Sequence, residues 1–141
     1  MRYLDTSVLL AYLLPESKSE LAQEVMLQAN GSMGISRWSE VEIYSALGVK
    51  LRMGHIDHLS AAAVITIFHE QVQPCLQSFP VAERELSRAV VLLSGWKTAL
   101  KSGDALHFAI ASSRAATVLT FDRSMAKAGK LLGLPTVLLG D

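Results

Sequence analysis

Short apolar segments alternate along the chain with longer segments in which apolar residues recur at helical spacing. The short segments end at polar or turn-forming residues and predict five strands, at 1–4, 33–36, 75–79, 117–121 and 135–139. The longer ones predict helices at 8–14, 19–29, 37–53, 57–72, 83–95, 103–114 and 123–132. Because strands that alternate with helices form parallel sheets covered on both faces, we expect an α/β/α sandwich with a parallel five-stranded sheet.

The composition fits one globular unit. The chain has 141 residues, of which 50% are hydrophobic and 18% charged, so it can bury a core and is unlike a disordered chain. No repeat, linker or charged block divides it. We therefore expect a single domain over residues 1–141.

The charge balance and the cysteine content limit the partners and compartments that we expect for the chain. Thirteen basic residues offset thirteen acidic ones, so binding of a nucleic acid would depend on local groups rather than on a general positive field. With one cysteine, Cys75, the chain can form neither an internal disulfide nor a thiolate zinc site. The apolar run Val8–Leu14 is too short to cross a bilayer. We expect a soluble cytoplasmic protein without a membrane anchor.

Candidate chemistry lies in four acidic residues. Asp5 and Asp122 each follow an apolar strand segment, and if the first and fourth strands are neighbours, their carboxylates meet at one edge of the sheet. Glu42 and Asp104 stand in otherwise apolar helical stretches and could join them. Each acid also has an ordinary explanation, as a helix cap, a turn residue or a solvated surface group.

A cluster of these acids would need a cation. Carboxylates that gather without basic partners repel one another, and a divalent ion removes that conflict. Oxygen-rich sites of this kind suit Mg²⁺ or Mn²⁺, which also bind phosphate oxygens and activate water. The residues therefore favour phosphodiester hydrolysis.

Four ordered motifs carry a resemblance to a known family. They are Tyr3-Leu4-Asp5-Thr6-Ser7, Glu42 followed by Ser45-Ala46-Leu47, Gly103-Asp104-Ala105-Leu106-His107, and Thr120-Phe121-Asp122. In this order they resemble the PIN-domain nucleases, and the chain is similar nearly end to end to VapC-type toxins of toxin–antitoxin pairs.

The resemblance implies a Mg²⁺- or Mn²⁺-dependent endoribonuclease that hydrolyses RNA. The residues that match the catalytic and metal-binding acids are Asp5, Glu42, Asp104 and Asp122. Ser7 and Thr6 would orient these acids from behind. The family also implies a homodimer and a cognate antitoxin that covers the active site. Surplus apolar surface on the helices at 37–53 and 57–72, including Val41, Val49 and Phe68, agrees with association.

Other residues are open to two interpretations. His107 lies one helical turn after Asp104 and could join a metal site, but a lone histidine among apolar residues is more often hydrogen-bonded in the interior. Trp38 and Trp96 are expected to be core or interface residues, and Cys75 a buried strand residue. Arg37, Lys50 and Arg52 are candidates to hold RNA phosphates.

Three rival functions remain. A haloacid-dehalogenase-like phosphatase also begins with an aspartate after its first strand, but it needs a second acid two residues later, where this chain has Ser7. A receiver-type phosphorylation switch needs an aspartate after the third strand, where this chain has Ser78-Phe79-Pro80. A catalytically silent PIN scaffold that only binds a partner is the third rival, and the four acids argue against it.

Overall fold

Five short strands form one parallel sheet in the computed structural model, which describes residues 1–140. The strands are β1 (Arg2–Leu4), β2 (Met33–Ser36), β3 (Gln77–Phe79), β4 (Thr117–Thr120) and β5 (Thr136–Leu138). The helices are α1 (Thr6–Leu13), α2 (Ser19–Leu27), α3 (Arg37–Arg52), α4 (His58–Ile67), α5 (Glu83–Leu93), α6 (Ser102–Ser113) and α7 (Arg123–Leu131).

The strand order places β1 at the centre of the sheet. The order is β3-β2-β1-β4-β5, so the chain builds outward from β1 on one side and then returns to build the other side from β4. β1 and β4 pair with Leu4 opposite Leu119, which confirms that the first and fourth strands are neighbours. The direction of winding reverses between these two strands, and open parallel sheets bind ligands at such a point.

Two apolar clusters cover the two faces of the sheet, which confirms the α/β/α sandwich. Neighbouring strand residues point to opposite faces, so Leu4 and Leu119 pack with α1, α3 and α4. Tyr3 and Val118 pack instead with α5, α6 and α7. Both faces are buried, which explains why the strands read as continuous apolar runs.

Side-chain caps set where several helices begin. Ser36 ends β2 and accepts the backbone N–H of Ser39, while Ser39 Oγ accepts the N–H of Ser36, so α3 begins with a reciprocal capping box. Asp5 and Asp122 cap α1 and α7 by accepting the backbone N–H of Val8 and of Met125. Lys101 is at the N-cap position of α6 and makes no side-chain hydrogen bond there.

The predicted helix at 57–72 is shorter than expected. The α-helix ends at Ile67, and a π-helical turn (Phe68–Val72) and a 3-10 turn (Gln73–Cys75) follow. Pro74 cannot continue an α-helix, since it lacks a backbone N–H and clashes with the preceding turn. Phe68 and Val72 are both buried, so Phe68 belongs to the core and not to surplus surface.

One further expectation is wrong. Cys75 is exposed at the end of the 3-10 turn, and β3 begins only at Gln77. Trp96 is 91% exposed and has a φ of +47°, in the turn after α5, so it is not a core residue, and its place at an interface stays a prediction. Trp38 is partly buried against the second apolar cluster, as predicted. Within residues 1–140, no helix is long and apolar enough to cross a membrane.

Candidate active site

A cleft of about 330 Å³ opens where β1 and β4 end. The four predicted acids all line it, although each comes from a different part of the chain. Asp5 follows β1, Asp122 follows β4, Glu42 lies in α3 and Asp104 in the first turn of α6. The other lining residues are Thr6, Ser7, Leu10, Ser45, Ala46 and His107.

Asp5 is held by hydroxyl groups from two elements. Ser7 Oγ donates to its Oδ1 and Thr120 Oγ1 to its Oδ2, each at 2.5 Å, and the Val8 N–H also reaches Oδ1 at 3.3 Å. The residue is only 4% exposed. Burial raises the pKa of the Asp5 carboxyl above its ordinary value, although these hydrogen bonds act in the opposite direction.

Glu42 is bound from the opposite wall of the cleft. Thr6 Oγ1 donates to its Oε1 at 2.6 Å, and His107 Nε2 makes a short contact with the same oxygen. Burial acts to raise the pKa of Glu42, but His107 and Thr6 outweigh it and keep that pKa below its ordinary value. Glu42 therefore stays ionised.

Asp104 and Asp122 complete the acidic wall. Burial and then the nearby charge of Asp122 raise the pKa of Asp104 to about 6, with smaller contributions in the same direction from Asp5 and Glu42. Asp122 uses Oδ1 to cap α7 through the N–H of Met125, at 3.1 Å. The four carboxylates are thus close enough to sense one another's charge.

The donor set of the cleft suits a hard divalent cation. Among the described residues that line it there is no Lys or Arg, and the imidazole of His107 contacts Glu42. Carboxylate oxygens are the ligands that Mg²⁺ and Mn²⁺ prefer. Over residues 1–140, however, no three His, Cys, Asp or Glu side chains are already grouped as ligands of one ion. Binding of an ion by three or more of these acids would therefore need their side chains to move toward it.

Three contacts at the site were not predicted from the sequence. Thr120 donates to Asp5 and accepts the Asp122 N–H at 2.9 Å, so it joins two of the acids. Tyr3 OH lies 2.7 Å from His107 Nδ1, on the side of the ring away from Glu42. Gly103 lies against Glu42, since a Cβ there would be 2.8 Å from Oε2. The sequence signal for Thr120 is that it is a polar residue at the end of an apolar strand segment.

The basic residues proposed to hold RNA are not part of the cleft. Arg37 forms an ion pair with Glu40, with Nε 3.1 Å from Oε1. Lys50 lines a separate and larger cavity of about 790 Å³ between the ends of α1 and α3 and the start of α4. That cavity is lined mainly by apolar residues, with Asp57 as its acid, so the chemistry of interest lies in the smaller cleft.

Comparisons with solved structures agree on the fold. FitAcB from Neisseria gonorrhoeae superimposes with a TM-score of 0.76 at 18% identity, over 96% of both chains. VapC20 from Mycobacterium tuberculosis, described as a toxin that cleaves the sarcin–ricin loop, gives 0.72 at 17% identity, over 92% of this chain and 95% of that one. VapBC2 from Rickettsia felis, solved with a fragment of promoter DNA, gives 0.70 at 15% identity, over 98% of both.

Sequence comparison identifies the family. No curated protein matches the sequence significantly. The family model for the PIN domain matches residues 2–131, a range that contains all four acids and the whole sheet except β5. The chain therefore belongs to the PIN domain family.

Proposed function

We propose that this protein is a metal-dependent endoribonuclease that acts as the toxin of a type II toxin–antitoxin pair. The observation that carries the proposal is the cleft, in which four carboxylates from four elements converge without a Lys or Arg among its described lining residues. Such a cleft attracts a divalent cation and does not attract a phosphate by itself. It therefore favours metal-assisted cleavage of a phosphodiester.

In this proposal the four acids hold the ion, and neighbouring hydroxyl groups hold two of the acids in place. Asp5, Glu42, Asp104 and Asp122 would hold Mg²⁺ or Mn²⁺, which when bound supplies the positive charge that activates water and offsets charge on the phosphate. Ser7 and Thr120 keep both Asp5 oxygens in a fixed direction. Thr6 does the same for Glu42. Such hydrogen bonds reduce the reorganisation needed when the ion binds.

Several similarities support the toxin role and a protein partner. VapC20 is described as an RNA-cleaving toxin, and a further neighbour is a toxin–antitoxin complex from Klebsiella pneumoniae, with a TM-score of 0.60 at 19% identity. We infer that the whole chain is one nuclease domain, that it forms a homodimer in the cytoplasm, and that a cognate antitoxin neutralises it. Co-expression with a cognate antitoxin should yield a complex that lacks ribonuclease activity.

The phosphatase alternative fits the cleft less well. A phosphatase of that class needs a second acid two residues after the nucleophilic aspartate, whereas here that position is Ser7, whose Oγ donates to Asp5 Oδ1. The silent scaffold remains the opposing hypothesis, because it would share this fold without binding metal.

Calorimetry with Mn²⁺ separates these possibilities. We expect the purified protein to bind Mn²⁺ and the Asp5→Asn and Asp104→Asn variants to lose most of that binding, because each removes an anionic ligand. Asp57→Asn is the matched control, since Asp57 caps α4 on the exposed surface away from the cleft. The same samples are then assayed on structured RNAs with and without EDTA.

Two results would contradict the proposal. Wild-type protein that binds no Mn²⁺, even with RNA present, would favour the scaffold. Metal binding that survives in both cleft variants would place the ion elsewhere. Cleavage of RNA that is abolished by EDTA and by either cleft substitution, but kept by Asp57→Asn, is the supporting result.

A further inference from the structure

His107 is the centre of a buried chain of hydrogen bonds that ends at Glu42. The residue is 1% exposed. Its Nδ1 lies 2.7 Å from Tyr3 OH, which lies 2.8 Å from Ser36 Oγ. Its Nε2 contacts Glu42 Oε1 and lies 3.1 Å from Thr6 Oγ1. This series of hydrogen bonds thus connects the end of β2 to the acidic cleft through β1 and α6.

One assignment of donors and acceptors satisfies every group in this series of hydrogen bonds. Tyr3 OH lies between Ser36 Oγ and His107 Nδ1, within hydrogen-bond distance of both. If Ser36 donates to Tyr3 and Tyr3 donates to Nδ1, the imidazole carries its own proton on Nε2 and donates it to Glu42. Every group then has a partner. Tyr3 fixes the tautomer and the plane of the ring, and the ring fixes Oε1.

Gly103 defines the position of the other oxygen of Glu42. A Cβ at Gly103 would lie 2.8 Å from Oε2, a distance that side chains do not adopt without displacement. The same point is 3.5 Å from Nε1 of Trp38, a buried N–H that has no partner within residues 1–140. Oε2 therefore occupies space that exists only because residue 103 has no side chain.

We propose that two residues of α6 hold the Glu42 carboxylate in one position. His107 holds its Oε1, and Gly103 leaves room for its Oε2. This inference rests on the proposed function, because it gives Glu42 its alignment toward the divalent ion. Neither residue contacts RNA or the reacting atoms in this role. Their effect is to present one acid of the cleft in a single orientation.

Two substitutions at His107 separate alignment from packing. His107→Gln places an amide N–H near the position of Nε2 and keeps the bond to Glu42, whereas His107→Asn can reach Tyr3 but not Glu42. We expect Asn to weaken Mn²⁺ binding about tenfold, which is typical when a partner behind a ligand is lost, and Gln to retain affinity within about threefold. The kcat on RNA should fall in the Asn variant with little change in KM.

The matched control is a second histidine that contacts a glutamate on α3. His69 Nε2 lies 3.5 Å from Glu40 Oε2 and 3.2 Å from Tyr44 OH, outside the cleft. His69→Asn should leave both Mn²⁺ affinity and kcat unchanged. Thermal unfolding midpoints of all variants show whether a loss of binding reflects a loss of folding.

Gly103→Ala tests the second residue without touching the imidazole. Its methyl group would displace Oε2, so we expect weaker Mn²⁺ binding in a protein that keeps its helical circular dichroism. A folded His107→Asn variant with wild-type affinity and kcat overturns the inference. If the Gln and Asn variants lose Mn²⁺ affinity and kcat equally, His107 acts through packing. If Gly103→Ala then also binds Mn²⁺ as wild type does, the inference about Glu42 is wrong.

A spectrum of the metal-free protein distinguishes failure of the inference from failure of the proposed function. Long-range proton–nitrogen correlation should show His107 protonated at Nε2, with a proton that exchanges slowly in wild type and quickly in Glu42→Gln. If wild type binds no Mn²⁺, the proposed function fails, and this spectrum still decides whether His107 holds Glu42. A ring protonated at Nδ1 alone overturns the inference.

Discussion

The other acids of the cleft make Asp104 harder to ionise. Its carboxyl is partly buried, and Asp122, Asp5 and Glu42 all oppose its ionisation, so its pKa is raised to about 6 from an ordinary value of 3.8. Between pH 3.8 and about pH 6, the Asp104 carboxyl therefore binds more protons in the folded protein than in the unfolded chain. It follows that the contribution of Asp104 to the free energy of unfolding falls as the pH rises through that range.

Replacing Asp104 should consequently stabilise the metal-free protein. After allowance for solvent screening of this partly exposed carboxyl, we expect Asp104→Asn to raise the free energy of unfolding by about 1 kcal/mol at pH 7.5, and by much less at pH 4, close to the ordinary pKa of 3.8. Urea denaturation in EDTA at both pH values measures this. Asp57→Asn should show no such pH-dependent gain, and an Asp104→Asn variant less stable than wild type at pH 7.5 would contradict the electrostatic account.

Thr120 is the residue whose hydroxyl supports two acids at once. It is fully buried, donates to Asp5 Oδ2 and accepts the N–H of Asp122. Thr120→Val keeps the shape but leaves both partners unsatisfied, so we expect a loss of about 1–3 kcal/mol in the free energy of unfolding. Thr117→Val, at the start of the same strand, should be close to neutral. Equal stabilities of the two variants in urea would show that the hydroxyl is not needed.

The sequence predicts some residues of the site better than others. Asp5 and Asp122 could be found because each directly follows a buried strand, and Glu42 and Asp104 because they complete a familiar order of motifs. The bonds that join Tyr3 to His107 and Thr120 to Asp5 span more than a hundred positions. Such contacts depend on the register of β1 against β4 and on the placement of α6, which no local pattern contains.

At the scale of elements, two helical glycines have opposite surroundings. A Cβ at Gly129 of α7 would lie 2.3 Å from Thr136 Oγ1 and 2.7 Å from Phe108 Cζ. A Cβ at Gly48 of α3 would meet only the flexible end of Arg52, at 3.4 Å. Gly129 thus lets α7 approach β5 and α6 closely, whereas Gly48 serves no such contact.

Alanine at these positions should act in opposite directions. Gly48→Ala should raise the free energy of unfolding by up to about 1 kcal/mol through helix propensity alone. Gly129→Ala gains the same propensity but overpacks the core, and we expect a net loss of about 1–2 kcal/mol. Thermal or urea unfolding of the two variants side by side tests this. A stabilised Gly129→Ala variant would mean that α7 shifts without cost.

The predictable elements are those whose ends carry a local signal. Ser36 caps α3 and Gly54 follows its end with a positive φ, so that helix was predicted within a residue. The segment 68–76 was mistaken for the end of a helix and the start of a strand. Its apolar residues Phe68 and Val72 fit a helical period, but Pro74 forces a wider turn that tertiary packing stabilises.

At the scale of the whole molecule, α3 connects the core, the cleft and an apolar surface. Ile43 and Leu47 are buried and Glu42 lines the cleft, while Val41, Val49 and Met53 are 54%, 43% and 62% exposed. Exposed apolar residues along one helix are a liability for a monomer in solution. The proposed homodimer would bury them on the same helix that carries Glu42.

Light scattering after size-exclusion chromatography tests this assembly. We expect a mass of twice 15.3 kDa for wild type and a shift toward the monomer for the double variant Val41→Lys with Val49→Lys, because two charges cannot be buried in an apolar contact without large cost. Val90 and Val91 on α5 are 66% and 58% exposed, so the same double substitution there is a matched control that should leave the mass unchanged.

A shift toward the monomer caused by the α5 variant alone would place the interface on that helix. A wild-type monomer at every concentration would contradict the dimer itself, while leaving the cleft and its metal chemistry untouched, since all four acids belong to one chain.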